Sequence, residues 1–112
     1  MDCIFCKIIK KESPADIVYE DDKFIVFKDI KPQAPIDLLV VPKLTPEEHL
    51  ISINDLEERH KELIGDLILL AKKVAKEQGI GDGYRLIFNV GRKGGQIIDH
   101  FHFHLIGGWR EG

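Results

Sequence analysis

Five segments of the chain are rich in β-branched and aromatic residues, which is typical of strands. These segments are 17–20, 24–27, 38–41, 84–90 and 100–106. A short polar segment separates the first two, and this spacing predicts a β-hairpin. The third is a continuous apolar run, which predicts a buried strand that ends at Pro42 because proline cannot donate to a strand ladder.

Between the third and fourth segments, the apolar positions repeat every three or four residues, as on a helix with one buried face. These positions are Leu56, His60, Leu63, Ile64, Leu67, Ile68, Ala71, Val74 and Ala75. Asn54 and Glu57 have capping-box spacing at the start. Gly79 suits the left-handed position after the last turn. We therefore predict a helix about 36 Å long, and one or two further helical turns at 3–10.

Short turns between strands and one inserted long helix predict an α+β fold with an antiparallel sheet. A doubly wound parallel sheet is disfavoured because only one segment has the length of a crossover helix. The chain of 112 residues suits a single domain, 1–112. Its hydrophobic fraction of 44% is enough for a packed core.

The charge balance and the apolar runs exclude two classes of partner. Lys and Arg number 16 and Asp and Glu number 19, so the net charge of −3 argues against a non-specific nucleic-acid binder. No apolar run approaches the roughly 20 residues that cross a membrane, and the first residues do not resemble a signal peptide. We expect a cytoplasmic protein with reduced thiols, in which Cys3 and Cys6 are a metal pair or free thiols.

The last predicted strand alternates histidine with apolar residues. His100, His102 and His104 therefore share one face, and the intervening apolar residues share the opposite face, under the helix. The outer two histidines would be about 13 Å apart at Cα, so one zinc ion could bind two neighbours but hardly all three. At most one or two histidines then bind a metal, and the others are available for nucleophilic or acid–base chemistry.

This histidine pattern resembles the signature of the histidine triad family. Further stretches resemble other blocks of that family: 3–8, 27–35, 39–43, and Asn89 with 94–96. The resemblance points to the branch of small nucleoside phosphoramidate hydrolases. It implies a five-stranded antiparallel sheet with one long helix and a short N-terminal helix, a homodimer, and a purine nucleotide of the AMP type as substrate.

The resemblance also implies roles for individual residues. His102 would attack the α-phosphorus, His104 would contact the phosphoryl oxygens or deliver the leaving-group proton, and His100 would bind the metal or support His102. Asp29 would accept hydrogen bonds from the ribose hydroxyls. The full set implied for nucleotide binding is Phe5, Ile8, Phe27, Asp29, Ile30, Asn89, Gly95, Gln96, His102 and His104. The segment 94–96 could offer backbone donors to the phosphate or could be a simple hairpin loop.

Some members of the family hold a structural zinc ion between an N-terminal cysteine pair and two histidines. By resemblance, the ligands here would be Cys3, Cys6, His49 and His100, which form a complete tetrahedral set for one zinc ion per chain. The segment 44–48 is interpreted as a loop insertion that leaves His49 as a ligand. His60, on the apolar face of the helix, is expected to be a core or surface-edge histidine.

Two positions depart from the family pattern. Asp37 stands where many members carry a histidine, and an adjacent carboxylate favours a protonated imidazole. Ile97 stands where a better-studied branch carries a serine, and isoleucine cannot donate a proton to the leaving group. Two alternatives therefore stay open: a dinucleoside polyphosphate hydrolase or nucleotidyl transferase, and a nucleotide-binding or protein-interaction module with little turnover.

Overall fold

The computed structural model of the protein describes residues 3–110. Its helices and strands are α1 (Ile4–Ile9), β1 (Ile17–Glu20), β2 (Phe24–Lys28), β3 (Ile36–Pro42), α2 (Lys61–Glu77), β4 (Tyr84–Ile87) and β5 (Phe103–Gly107). The strands form one five-stranded sheet in the order β1-β2-β3-β5-β4, and all neighbouring pairs are antiparallel. The predicted α+β class with an antiparallel sheet is confirmed, as is the hairpin of β1 and β2.

Both faces of the sheet are covered. Alternate residues of β2 and β3, such as Val26 and Val40, pack with α2 on one face. Their neighbours, such as Phe27 and Leu39, pack with Phe5 of α1 on the other face. This two-sided burial explains why the runs 24–27 and 38–41 are continuously apolar. The short helix α1 therefore sits on the face opposite α2.

The long helix begins later than predicted. Asn54 does not cap it; instead Ser52 and Asp55 form a capping box around a single 3₁₀ turn, Ile53–Asp55. Leu56 then has extended backbone angles, which end that turn before a helix can form. The regular helix α2 has 17 residues, or about 25 Å, so the prediction of about 36 Å was wrong. No helix within residues 3–110 has the length and apolar character needed to cross a membrane.

The C-terminal end of α2 was predicted correctly. Gly79 adopts a φ of 79°, a left-handed conformation that glycine adopts without steric cost. The amide of the following residue, Ile80, donates to the carbonyl of Ala75, as in a Schellman motif. His60 is buried, as expected of a core histidine, and its Nδ1 accepts from the amide of Glu57.

The last two strands are shorter than predicted. Strand β4 ends at Ile87, and β5 begins only at Phe103, so His100 and His102 precede the strand. Pro42 has no amide hydrogen to pair with the residues just before β5. The amide of Phe101 donates instead to the carbonyl of Leu50 in a loop. The alternation of side chains nevertheless persists: Phe101 and Phe103 are buried on the α2 face.

Candidate active site

A cavity of about 380 Å³ lies on the α1 face of the sheet. Nine of the ten residues predicted to bind a nucleotide line it: Phe5, Ile8, Phe27, Asp29, Ile30, Asn89, Gly95, His102 and His104. The apolar members form one wall, and the two histidines with Asp29 supply the polar groups. A mostly apolar pocket with a few convergent polar groups is typical of a small-molecule site.

His102 is held in a defined orientation and tautomer. Its Nδ1 lies 2.7 Å from the carbonyl oxygen of His100, so Nδ1 carries the proton and donates it. The ring packs against that of Phe5 in a T-shaped arrangement, with ring centroids 4.9 Å apart. Burial lowers the pKa of the His102 imidazole below its usual value. The neutral ring therefore keeps its unshared electron pair on Nε2, as a nucleophile requires.

His104 lies beside His102, with ring centroids 5.7 Å apart. Its Nδ1 is 3.3 Å from Oδ1 of Asp37 and 3.7 Å from Oδ2 of Asp29. The side chain of Asp37 is fully buried. Its second oxygen accepts the amide of Gln33 at 3.0 Å. Asp37 thus contacts His104 and not His102.

Asp29 follows directly after β2 in a loop with a fixed shape. Its amide donates to the carbonyl of Asp37, and its Oδ1 accepts the amide of Lys31 at 3.0 Å. The next residue, Ile30, is 90% exposed although it lines the cavity. One loop therefore places the carboxylate of Asp29 and the exposed apolar side chain of Ile30 side by side at the cavity.

Gln96 is the predicted nucleotide-binding residue that does not line the cavity. Its side chain is buried and makes only backbone hydrogen bonds. Nε2 donates to the carbonyls of Ile51 and Ile98, at 2.6 and 3.0 Å, and Oε1 accepts the amide of Gly91 at 3.0 Å. Gln96 therefore fastens the loop that follows β4.

The backbone donors of the glycine-rich loop are also used within the loop. The amides of Gly94 and Gln96 donate to the carbonyl of Gly91, and the amide of Gly95 donates to that of Arg92. Because these three donors are already paired within the loop, the geometry favours the hairpin-loop interpretation of 94–96. Gly95 has a φ of 87°, and a side chain there would lie against Asn89.

A second cluster lies next to the cavity, around His100. The Nε2 of His100 donates to the carbonyl oxygen of Pro42 at 2.8 Å, so Nδ1 carries the unshared pair. That Nδ1 lies 3.4 Å from Sγ of Cys3 and 3.5 Å from Sγ of Cys6. Burial lowers the pKa of His100 to about 4, and burial with the Cys6 hydrogen bond raises the pKa of the Cys3 thiol to about 11.

This donor set fits a zinc ion. Two sulfurs and one imidazole nitrogen lie within 4.8 Å of one another, and sulfur and nitrogen are zinc's preferred ligands. The sulfur-to-nitrogen separations of 3.4 and 3.5 Å match the edge of a tetrahedron with bonds of about 2.0 to 2.3 Å. The two sulfurs lie 2.8 Å apart and would have to separate by about 1 Å around an ion. The N-terminal turn of α1 supplies both sulfurs, because Cys3 caps the helix by accepting the amide of Cys6.

His49 adjoins this cluster without joining it. Its ring centroid is 5.0 Å from that of His100, and its Nε2 donates to the carbonyl of Asp99 at 2.7 Å. The segment 44–48 forms a 3₁₀ turn, Pro46–Glu48, capped by Thr45. The insertion is therefore a compact turn that leaves His49 beside His100.

Further residues of the cavity wall were not among those predicted to bind the nucleotide. They are Ile4, Pro14, Ala15, Lys28, Lys31, Gln33, Leu39, Ile97 and Ile98. Lys28 and Lys31 flank Asp29 in sequence, so the loop that supplies the carboxylate also brings positive charge to the cavity. Ile97, 80% exposed at the cavity rim, has no proton to donate.

Comparisons with known proteins agree with this geometry. A family model described as "Scavenger mRNA decapping enzyme C-term binding" matches residues 2–110. The "14 kDa zinc-binding protein" of Zea mays is 50% identical over 105 residues, covering 94% of this chain and 80% of the relative. The "Purine nucleoside phosphoramidase" of Escherichia coli K12 is 46% identical over 106 residues, covering 94% of this chain and 86% of the relative.

Solved structures show the same likeness. The crystal structure of a HIT family hydrolase from Legionella pneumophila Philadelphia 1 superposes with a TM-score of 0.90 at 44% identity. It covers 97% of this chain and 95% of its own. The histidine row, the fold and these relatives together show that the chain belongs to the histidine triad family.

Proposed function

We propose that the chain is a nucleotide-binding hydrolase that cleaves the P–N bond of purine nucleoside 5′-phosphoramidates through a nucleotidyl intermediate on His102. The observation that carries this proposal is the 2.7 Å hydrogen bond from Nδ1 of His102 to the carbonyl of His100. It leaves Nε2 as the nucleophilic atom of a ring that lines the cavity. The name of the relative from Escherichia coli, a purine nucleoside phosphoramidase, supports this substrate class.

The reaction consists of two displacements at one phosphorus atom. The unshared pair of His102 Nε2 forms a bond to the α-phosphorus, and the P–N bond to the amine breaks with one proton delivered to the amine. Water then attacks the same phosphorus, loses a proton, and displaces His102 Nε2 as a neutral imidazole. The sum is phosphoramidate plus water giving a nucleoside monophosphate and an amine. His104 lies beside His102, where it can contact phosphoryl oxygens or transfer these protons.

The cavity has groups suited to the other parts of the nucleotide. Asp29 is held by its loop with a carboxylate at the cavity, where it can accept hydrogen bonds from ribose hydroxyls. Phe5, Ile8 and Phe27 offer an apolar surface on which a purine ring would bury its faces. Ile30 projects beside them and would cover the exposed edge of the base.

We further propose a structural zinc ion, one per chain, held by Cys3, Cys6, His49 and His100. The three close donors support it, as does the name of the relative from Zea mays, a zinc-binding protein. His49 Nδ1 would complete the set, since Nε2 is bound to Asp99. Four protein ligands leave no open coordination position. The ion would therefore fasten α1 to the segment that carries the catalytic histidines.

The proposed assembly is a homodimer of single-domain chains in the cytoplasm. Strand β4 is at one edge of the sheet, and Leu69 on α2 is 64% exposed. Pairing of two β4 edges with α2 packed across the twofold axis would cover both. Light scattering should then give about twice the chain mass of 12.8 kDa.

The test of the function is incubation with adenosine 5′-phosphoramidate and, separately, with diadenosine polyphosphates, with AMP release followed by chromatography. The proposal predicts faster AMP release from the phosphoramidate. Preferential release from the polyphosphates would instead favour the dinucleoside polyphosphate hydrolase. Calorimetric binding of AMP without release from either substrate would favour a binding module and would contradict the proposal.

A further inference from the structure

The buried carboxylate of Asp37 lies under the catalytic face of the sheet. In the pairing of β3 with β5, His104 is opposite Leu39. Asp37 lies two residues before Leu39 on the same face of the sheet, so Asp37 is a diagonal neighbour of His104. The side chain of Asp37 is fully buried, and its Oδ1 lies 3.3 Å from Nδ1 of His104. The sheet register therefore builds this pair into the core of the site.

Within residues 3–110, the carboxylate of Asp37 has two hydrogen-bond partners. Oδ2 accepts the amide of Gln33, and Oδ1 faces His104. A buried carboxylate is costly unless it is hydrogen-bonded and its charge is compensated. Asp29 adds a second carboxylate 3.7 Å from the same ring nitrogen. Both carboxylates thus face Nδ1 of His104, and that of Asp37 is the nearer one.

We infer that Asp37 is a positioning residue for the proposed hydrolysis: it holds His104 with Nδ1 protonated, so that Nε2 of that ring delivers the proton to the leaving amine. This inference rests on the proposed function. Because a carboxylate oxygen only accepts hydrogen bonds, the proton on Nδ1 stays between His104 and Asp37. Nε2 is then the ring nitrogen that exchanges protons at the cavity.

The proton balance is complete within the site. In the first displacement, His102 Nε2 bonds to phosphorus, the P–N bond breaks, and the amine takes the proton from Nε2 of the His104 imidazolium. His104 becomes neutral and keeps its Nδ1 proton on Asp37. In the second displacement, the attacking water gives a proton back to His104 Nε2, which restores the imidazolium. Ile97 at the rim cannot take part in either transfer.

The test compares two leaving groups in two variants. An N-alkyl adenosine 5′-phosphoramidate needs a proton to release its amine, whereas the p-nitrophenyl ester of AMP releases a stable anion without one. For Asp37→Asn, we expect kcat/KM to fall about 10²-fold with the phosphoramidate, as for loss of general acid catalysis, and to change little with the ester. Asp22→Asn, which makes the same charge change in the exposed turn between β1 and β2, should leave both substrates unaffected.

Equal losses with the two substrates would overturn the inference, because Asp37 would then act on the nucleophile or on the fold. No loss with either substrate would also overturn it, because Asp37 would then have no part in the reaction. Circular dichroism checks that Asp37→Asn is folded. Nitrogen-15 NMR of the unaltered protein gives a readout independent of turnover: Nδ1 of His104 should be protonated, and a neutral ring protonated at Nε2 would also overturn the inference. Failure of the proposed function looks different, since the unaltered protein would then release no AMP from the phosphoramidate, whatever it does with the ester.

Discussion

Replacing Gln96 by alanine should destabilise the protein more than it weakens nucleotide binding. The side chain makes three hydrogen bonds, to Ile51, Ile98 and Gly91, with lengths of 2.6 to 3.0 Å. At about 0.5 to 1.5 kcal/mol net for each bond, their loss should lower the free energy of unfolding by about 3 kcal/mol. That is a large part of the roughly 5 to 15 kcal/mol available to a domain.

Urea unfolding followed by tryptophan fluorescence measures this loss, and AMP titration of the folded variant measures affinity. Gln78→Ala is a matched control, because Gln78 caps α2 through its backbone amide and its substitution should change stability by less than about 0.5 kcal/mol. An unchanged unfolding free energy together with a strongly reduced AMP affinity would refute the reasoning, since Gln96 would then contact the nucleotide directly.

Three further substitutions test other parts of the account. His102→Gln should reduce turnover of the phosphoramidate at least about 10⁴-fold while AMP still binds. The control variant His60→Gln, at a residue outside the cavity, should keep its turnover. Equal losses of turnover in the two variants would contradict the assignment of His102 as the nucleophile. Elemental analysis should find no zinc in Cys6→Ser, and a metal-free unaltered protein would contradict the site. In the unaltered protein, zinc affinity should fall as pH falls, because metal binding must displace the proton of the Cys3 thiol, whose pKa is raised to about 11. Phe103→Ala, at a fully buried position stacked on Phe88, should cost about 3 to 5 kcal/mol by urea unfolding, and a loss below about 1 kcal/mol would contradict the core assignment.

The sequence was most informative where one physical requirement controls the pattern. Continuous apolar runs predicted β2 and β3 because both faces of these strands are buried. The alternation of His102 and His104 with Phe103 predicted which side chains face the core. Gly79 marked the end of α2 because its backbone is left-handed.

Element boundaries were less predictable because local hydrogen bonds compete with periodicity. The spacing of Leu56 and His60 suits a helix, yet the capping box of Ser52 and Asp55 closes a separate turn first. The late start of β5 depends on Pro42, which is distant in sequence from His100. Such competition is visible only when both partners are placed in space.

The sequence predicted which types of residue form the site, but only partly which residues contact one another there. The resemblance to the histidine triad family suggested His102 as the nucleophile, which stays a prediction, and nothing in the sequence showed that Asp37 contacts His104 and not His102. The family resemblance placed Gln96 among the nucleotide-binding residues. Its burial against the carbonyls of Ile51 and Ile98 is a tertiary contact that no local pattern reports.

The stereochemical course at phosphorus tests the central claim most directly. Adenosine 5′-phosphoramidate made chiral at phosphorus with sulfur would be hydrolysed in ¹⁸O-labelled water, and the configuration of the product determined by ³¹P NMR. Two successive in-line displacements, with His102 Nε2 bonded to phosphorus between them, predict retention of configuration. Inversion would show that water attacks the substrate directly and would contradict a nucleotidyl intermediate on His102.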